Sequence, residues 1–318
     1  MKIVAGIDVS KATLDVCVAR EVRTFSNVAS DRAALASWLG RCHVDLVVME
    51  ATNAYHDELA CELVERGFEV AVVNPARALY YARSLGKRNK TDKVDARTLL
   101  ELGAAQADLN LFVPPTAEQR ELTQLVRLRQ DVVAMASTVK VRRQTTRLTS
   151  LEDRVLASQA ELFARQIHEL EEGIRKLVRN HEALLISETR LQTIPGIGEI
   201  TAWTLMAEVR DFSRFDSAKQ VAAYAGVCPA IRQSGTSLKG KGTLSRAGNP
   251  HARKSLYMAA LAAIRSPNPF QQLFQRLLAK GKARKTAIVA VMHKLIRVAY
   301  GVLKSGSPFT AERALTPI

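Results

Sequence analysis

The sequence predicts an α/β unit followed by a mainly helical remainder, and three observations carry that expectation. Short apolar runs alternate with helical patterns over the first 110 residues, no proline interrupts the chain between Pro115 and Pro195, and all of the excess positive charge falls in the last 88 residues. A chain of 318 residues with 47% hydrophobic composition is long enough for two or three domains with cores of their own.

The elements follow in order. KIVAGIDV (2–9), LDVCVA (14–19) and VRTFSN (22–27) read as three strands in a meander, and a helix with Ala34, Leu35, Trp38 and Leu39 on its apolar stripe comes next. VDLVVME (44–50), a helix around Tyr55–Arg66 and FEVAVVN (68–74) continue the alternation, with helices near 76–84 and 92–106. The order β-β-β-α-β-α-β-α predicts a mixed sheet with helices on both faces, which is the order of the ribonuclease H fold.

Pro114 and Pro115 end this unit. Thr116 and Gln119 form a capping-box pattern, and Leu122, Leu125, Val126, Val132, Val133, Ala136 and Val139 recur at helical spacing over 118–149. A second helix is expected over 152–186, so residues 114–187 read as a coiled-coil helical arm between a first domain, 1–113, and a C-terminal domain, 188–318. In LQTIPGIGEITAWTLMAEV (191–209) a PGIG turn joins two apolar segments as in a helix-hairpin-helix, whose glycines, here Gly196 and Gly198, offer backbone N–H groups to a phosphate.

Charge separates the parts. Residues 1–113 carry 14 Lys/Arg against 15 acids, residues 114–230 carry 16 against 15, and residues 231–318 carry 16 against the single acid Glu312. So one-sided a block repels itself unless a polyanion neutralises it, and nucleic acid is the expected partner. The start MKIVAGIDVS has no basic leader, no uninterrupted apolar run approaches the ~20 residues of a membrane helix, and the four cysteines form no CxxC pair. A cytoplasmic protein without a membrane partner, a zinc site or a disulfide framework is expected.

Four carboxylates stand out. Asp8 interrupts an apolar strand, where a lone buried charge is costly, and Glu50 ends another. Asp92 and Asp95 lie three apart in the first turn of a helix. Each alone also reads as a cap, a turn or a strand end, since acids suit a helix N-terminus. Together, on neighbouring strands and an adjacent helix, they would repel one another unless a divalent cation, Mg2+ or Mn2+, lay among them.

GIDVSKATLDV, VVMEATNAY, VVNPARALYYARSLGKRNKTDKVDA, PGIG and AGVCPAIRQSGTSLKGKGTLSRAGNPHARKSLY resemble the DEDD transposases of bacterial insertion sequences, the family typified by insertion sequence one-hundred-and-ten. The resemblance runs from Asp8 to about Tyr257. It implies a RuvC-like N-terminal domain, a coiled-coil arm and a C-terminal transposase domain, assembly as a homodimer or homotetramer, and a structured bridge RNA that pairs with donor and target double-stranded DNA. The family's metal-binding Asp, Glu, Asp and Asp fall on Asp8, Glu50, Asp92 and Asp95, and its catalytic serine on Ser234 in QSG, with Ser237 the main rival. Lys239, Lys241, Arg246, Arg253 and Lys254 then read as phosphate contacts, and His251 as a phosphate-contacting or packing residue. Two other readings use the same residues: a junction-resolvase type of nuclease with water as nucleophile, and a nucleic-acid-binding protein whose acids are structural. With no convincing glycine-rich phosphate loop in the later half, a sugar-kinase-like relative is a distant third.

Overall fold

The computed structural model describes residues 2–51, 55–86, 92–106, 109–144, 147–230, 233–234, 238–239, 243–244 and 248–312, with backbone alone for 92–94, 229–230, 233–234, 238–239 and 243. The chain divides into two compact units, residues 1–114 and 115–318.

The first unit runs β1 (Val4–Val9), β2 (Thr13–Val18), β3 (Glu21–Ser26), α1 (Ala29–Arg41), β4 (Leu46–Glu50), α2 (Tyr55–Glu65), β5 (Glu69–Val73), α3 (Pro75–Ser84) and α4 (Asp92–Ala105). The sheet order is β3-β2-β1-β4-β5. The first three strands pair antiparallel, whereas β4 is parallel to both β1 and β5. Strand alternation sorts the apolar residues by face. Ala5, Ile7, Val9, Leu14, Val16, Val47, Met49 and Val70 pack with Leu35, Trp38 and Leu39 of α1 and Leu59 and Leu63 of α2. On the other face Val4, Leu46, Val48, Ala71 and Val73 pack with Ala78 of α3 and Leu99 and Leu102 of α4. A sheet covered on both sides explains why β1, β4 and β5 are apolar along most of their length, whereas the edge strand β3 is largely exposed.

The second unit opens with α5 (Ala117–Arg143), α6 (Ser150–Asn180), α7 (Glu182–Gln192), α8 (Glu199–Val209) and α9 (Ala218–Tyr224). Thr116 and Gln119 make the expected capping box on α5. That helix stops at Arg143 rather than near 149, because Thr149 leaves helical geometry to form a second capping box with Glu152. The helix expected over 152–186 is two helices: His181 is extended and its Nδ1 engages the Leu177 carbonyl, ending α6 before α7 starts. Arg129 of α5 pairs with Glu171 of α6 at 2.6 Å, and Leu122, Val126, Ile174, Leu177 and Val178 extend the core of the unit up into this helical pair.

Four two-residue strands follow, β6 (Pro229–Ala230), β7 (Gln233–Ser234), β8 (Leu238–Lys239) and β9 (Thr243–Leu244), before α10 (Pro250–Ala263), α11 (Pro269–Ala279) and α12 (Arg284–Ser305). β6 pairs with β9 and β7 with β8, both antiparallel, so the segment forms nested hairpins. α12 alone among the described helices is long and apolar enough to cross a membrane by length and composition. Its Ile288, Val291, Leu295, Ile296, Ala299 and Val302 are buried in the core with α8 and α10.

Candidate functional site

Topology carries the acids of the first unit to one edge of its sheet. The parallel register pairs Ile7 with Met49, so the next residues, Asp8 and Glu50, lie at one level near the C-terminal ends of adjacent strands. Pleating turns both toward α4, because the residues two before them are the ones α4 touches. A Cβ on Gly6 would fall 2.0 Å from the Ala96 carbonyl oxygen, and a Cβ on Gly103 would fall 2.6 Å from Val48 Cγ2. Gly6 thus lets the helix backbone rest on β1 one residue past Asp95. Asp8, Glu50 and Asp95 are half-buried. Asp92 begins α4, and its side chain lies outside the described residues.

A further carboxylate stands in the same row. Asp15 of β2 is directly opposite Asp8 in the antiparallel register, and Thr24 of β3 is opposite Asp15. Asp15 is buried and accepts a 2.6 Å hydrogen bond from Thr24 Oγ1. The signal that singled out Asp8, an acid inside an apolar strand, is equally present in TLDVCV. Among the described residues no three Asp, Glu, His or Cys side chains approach closely enough to hold a metal ion. The donor set of this edge is all carboxylate oxygen, which suits Mg2+ or Mn2+ and not a soft ion.

In the second unit Ser234 lies on β7, its backbone in register with Leu238 on the inner hairpin. Its side chain and that of Lys239 are outside the described residues, as are Ser237, Lys241 and Arg246 altogether. What is described in full is the base of the hairpin. Asn249 N–H donates to the Tyr224 carbonyl at 2.8 Å, closing the segment on itself. Gly226, at φ +67°, and Gly248 meet backbone to backbone: a Cβ on Gly248 would lie 2.3 Å from Gly226 N. Neither position has room for a side chain.

Arg253 braces the hairpin base: its Nη1 reaches the Gly248 carbonyl at 3.4 Å and packs over Gly226. Lys254 is exposed. Gly196 has φ +90° and sits against α10, where a Cβ would fall 2.5 Å from the Ala259 carbonyl oxygen; around Gly198, at the start of α8, the space is open.

Below the hairpin base lies a polar cluster that sequence reasoning did not single out. Glu208 near the end of α8 is buried, with 1% of its side chain exposed. It accepts from Arg127 Nε at 3.0 Å and Nη2 at 3.1 Å, and from Asn249 Nδ2 at 2.7 Å. Burial pushes its carboxyl up, but hydrogen bonds from Arg127 and the charge of that guanidinium, with Asn249 and His251, prevail and hold it below the usual value. Gln130 donates to Thr204 Oγ1 at 3.5 Å, which leaves its amide oxygen to meet His251 Nδ1.

Two families match the chain. One, described as a transposase and typified by the DEDD transposases of IS110, matches residues 5–151; the other, described as the transposase IS116/IS110/IS902 family, matches residues 188–275. The pilin gene-inverting protein of Moraxella lacunata is 32% identical over 313 residues, covering 96% of each chain, and that of Moraxella bovis is 32% identical over 318 residues with the same coverage. The transposase for insertion sequence element IS1111A of Coxiella burnetii is 24% identical over 335 residues, covering 94% of this chain and 89% of its own.

Proposed function

The chain belongs to the IS110 family of DEDD transposases and is a DNA transposase or site-specific recombinase, and from that premise we propose that it exchanges DNA strands with two sets of residues, an acidic site of Asp8, Glu50, Asp92 and Asp95 and the nucleophile Ser234. The observation that carries this reading is the level of Asp8 and Glu50 on adjacent parallel strands beneath the first turn of α4.

Ser234 Oγ attacks the scissile phosphorus. A P–Oγ bond forms as the P–O3′ bond breaks, and the serine proton is passed to the departing 3′ oxygen. The 5′-phosphoserine link conserves the phosphodiester energy, so the reverse attack by another 3′ hydroxyl rejoins DNA without a nucleotide cofactor. Asp8, Glu50, Asp92 and Asp95 would hold Mg2+ or Mn2+, which would supply electrostatic stabilisation to a phosphate and a leaving oxygen. Names of the Moraxella relatives speak of inverting a gene. Inversion requires every cut end to be rejoined, and a covalent link that keeps the ends serves that need.

Double-stranded DNA at element ends and target is the substrate, and a structured bridge RNA guides the choice of site. The basic segment 231–318 supports a polyanionic partner. Assembly as a homodimer or homotetramer is supported by Leu128, Met135, Val141, Leu151, Val155 and Leu162, large apolar side chains left exposed along α5 and α6. The protein works in the cytoplasm, at the nucleoid when on DNA.

The test incubates the protein with Mg2+, the element's RNA and end-labelled junction DNA, and resolves the products on a denaturing gel. A labelled protein–DNA adduct, absent with Ser234→Ala, is expected. Cleavage that survives Ser234→Ala with no adduct means that water is the nucleophile.

A further inference from the structure

We propose that Glu208 is a positioning residue for strand exchange, gripping both ends of the hairpin that carries Ser234 and tying them through Arg127 to the helical pair α5–α6. This deepens the serine reading and rests on it.

Both ends of the hairpin meet at one residue. On the incoming side, Tyr224 donates its hydroxyl to the Glu208 backbone carbonyl at 2.7 Å. On the outgoing side, Asn249 donates to the Glu208 carboxylate at 2.7 Å while its own Oδ1 accepts from the N–H groups of His251 and Ala252, capping α10. The two ends also bond each other through Asn249 N–H and the Tyr224 carbonyl. One carboxylate therefore sets the orientation of Asn249, and with it the point at which the chain leaves the hairpin.

The third partner lies on a different element. Arg127 donates twice in a forked geometry, and two residues along α5 Arg129 pairs with Glu171 of α6. Gln130, one turn on from Arg127, reaches His251 at the start of α10. A shift of α5 is thus conveyed to the outgoing end of the hairpin at two points. For stability alone this is a costly arrangement, since Glu208 is buried while Arg127 is 40% exposed: the carboxylate gives up its hydration for a partner still in contact with water, and removing Arg127 leaves a buried charge. What the carboxylate does supply is direction: a bidentate guanidinium contact fixes distance and plane together.

The experiment uses the full chain with junction DNA and its RNA, and reads thermal midpoint, DNA affinity, adduct formation and exchanged product. Glu208→Gln is expected to slow adduct and product by about 10- to 100-fold at saturating DNA, the scale of a misplaced reacting group, with affinity unchanged within about twofold. Glu208→Gln with Asn249→Asp reverses the sense of the hydrogen bond, keeps the net charge and keeps a capping oxygen on α10; it should restore the rate to within about threefold. Arg127→Met with Glu208→Leu removes the pair and its buried charge together; it should melt no lower than Arg127→Met alone and still exchange strands slowly. An unaltered rate in that double variant, or in Glu208→Gln, overturns the proposal. Ser234→Ala, run alongside, separates the two readings: product that persists without adduct in Ser234→Ala but is lost in Glu208→Gln removes the serine mechanism and leaves the positioning role in place.

Discussion

Asp8 and Asp15 stand directly opposite one another across the antiparallel β1–β2 pair, two carboxylates on the face of the sheet that α4 covers. Like charges in facing cross-strand positions destabilise a sheet by up to ~1 kcal/mol. Asp15 has a neutral partner in Thr24 on its other side.

Asp8→Asn should abolish strand exchange, because it removes one of the carboxylates proposed to hold the cation. Added Mg2+ should stabilise the unaltered protein more than the variant, because a ligand that binds only the native state adds to its stability. Melting curves with and without Mg2+ check this; an equal Mg2+ shift in both proteins removes Asp8 from the cation site.

Gly6→Ala should cost at least about 1–3 kcal/mol, the range for overpacking, since the new methyl would meet the backbone of α4 and not a movable side chain. A urea titration of the full chain gives the value. Gly198→Ala, in open space at the second unit's PGIG turn, should change stability by less than about 0.5 kcal/mol.

Acid should act through Glu208. Its folded-state affinity for a proton is held below the usual carboxylate range, so its contribution is fully present above the unfolded-state value and is lost as pH falls through the lower folded one. The stability difference between the unaltered protein and Glu208→Gln should shrink below about pH 4.5. Denaturation midpoints at pH 7, 5 and 3.5 measure it.

His293 works in the opposite sense to a paired histidine. Burial, then the charges of Arg297 and Lys294, push its pKa down, and Cys228, which also feels the charge of Arg297, adds none of its own because burial pushes its thiol up. The unfolded chain then takes up a proton that the folded one resists, so stability is complete above about pH 6.5 and declines below it. His293→Gln should flatten that decline between pH 7 and 5, as followed by thermal midpoint.

Lys254 and Arg253 should separate in a binding assay. Lys254→Ala should weaken DNA binding modestly and lower the slope of log affinity against log salt by about one. Arg253→Ala removes the contact with Gly248 and should lower the melting temperature as well as the affinity.

Much of this is legible locally. Short apolar runs mark the strands of the first unit, and Asp8 and Glu50 stand out as charges in runs that are otherwise apolar. Thr116 and Gln119 announce α5 three residues apart. Local signals fail where two of them compete: apolar periodicity carries α5 past Arg143 although Thr149 and Glu152 are already caps for the next helix, and His181 interrupts an otherwise continuous amphipathic run. The nested hairpins of 229–244 are invisible in the sequence because two-residue strands have no periodicity to detect.

What the sequence by itself determined is the order of strands and helices in the first unit, the acids that interrupt apolar runs and the one-sided charge of the last 88 residues. These depend on residues within a few positions of one another, where side-chain alternation, caps and local charge act. Tertiary structure alone decided that Asp15 faces Asp8, that Gly6 and Gly226 are needed for close backbone approach, and that Glu208 joins Arg127, 81 residues away, to Asn249, 41 residues away. Those contacts come from strand register and helix packing. Local pattern carries neither, because the energy that fixes them is gained only when distant segments bury their apolar faces together.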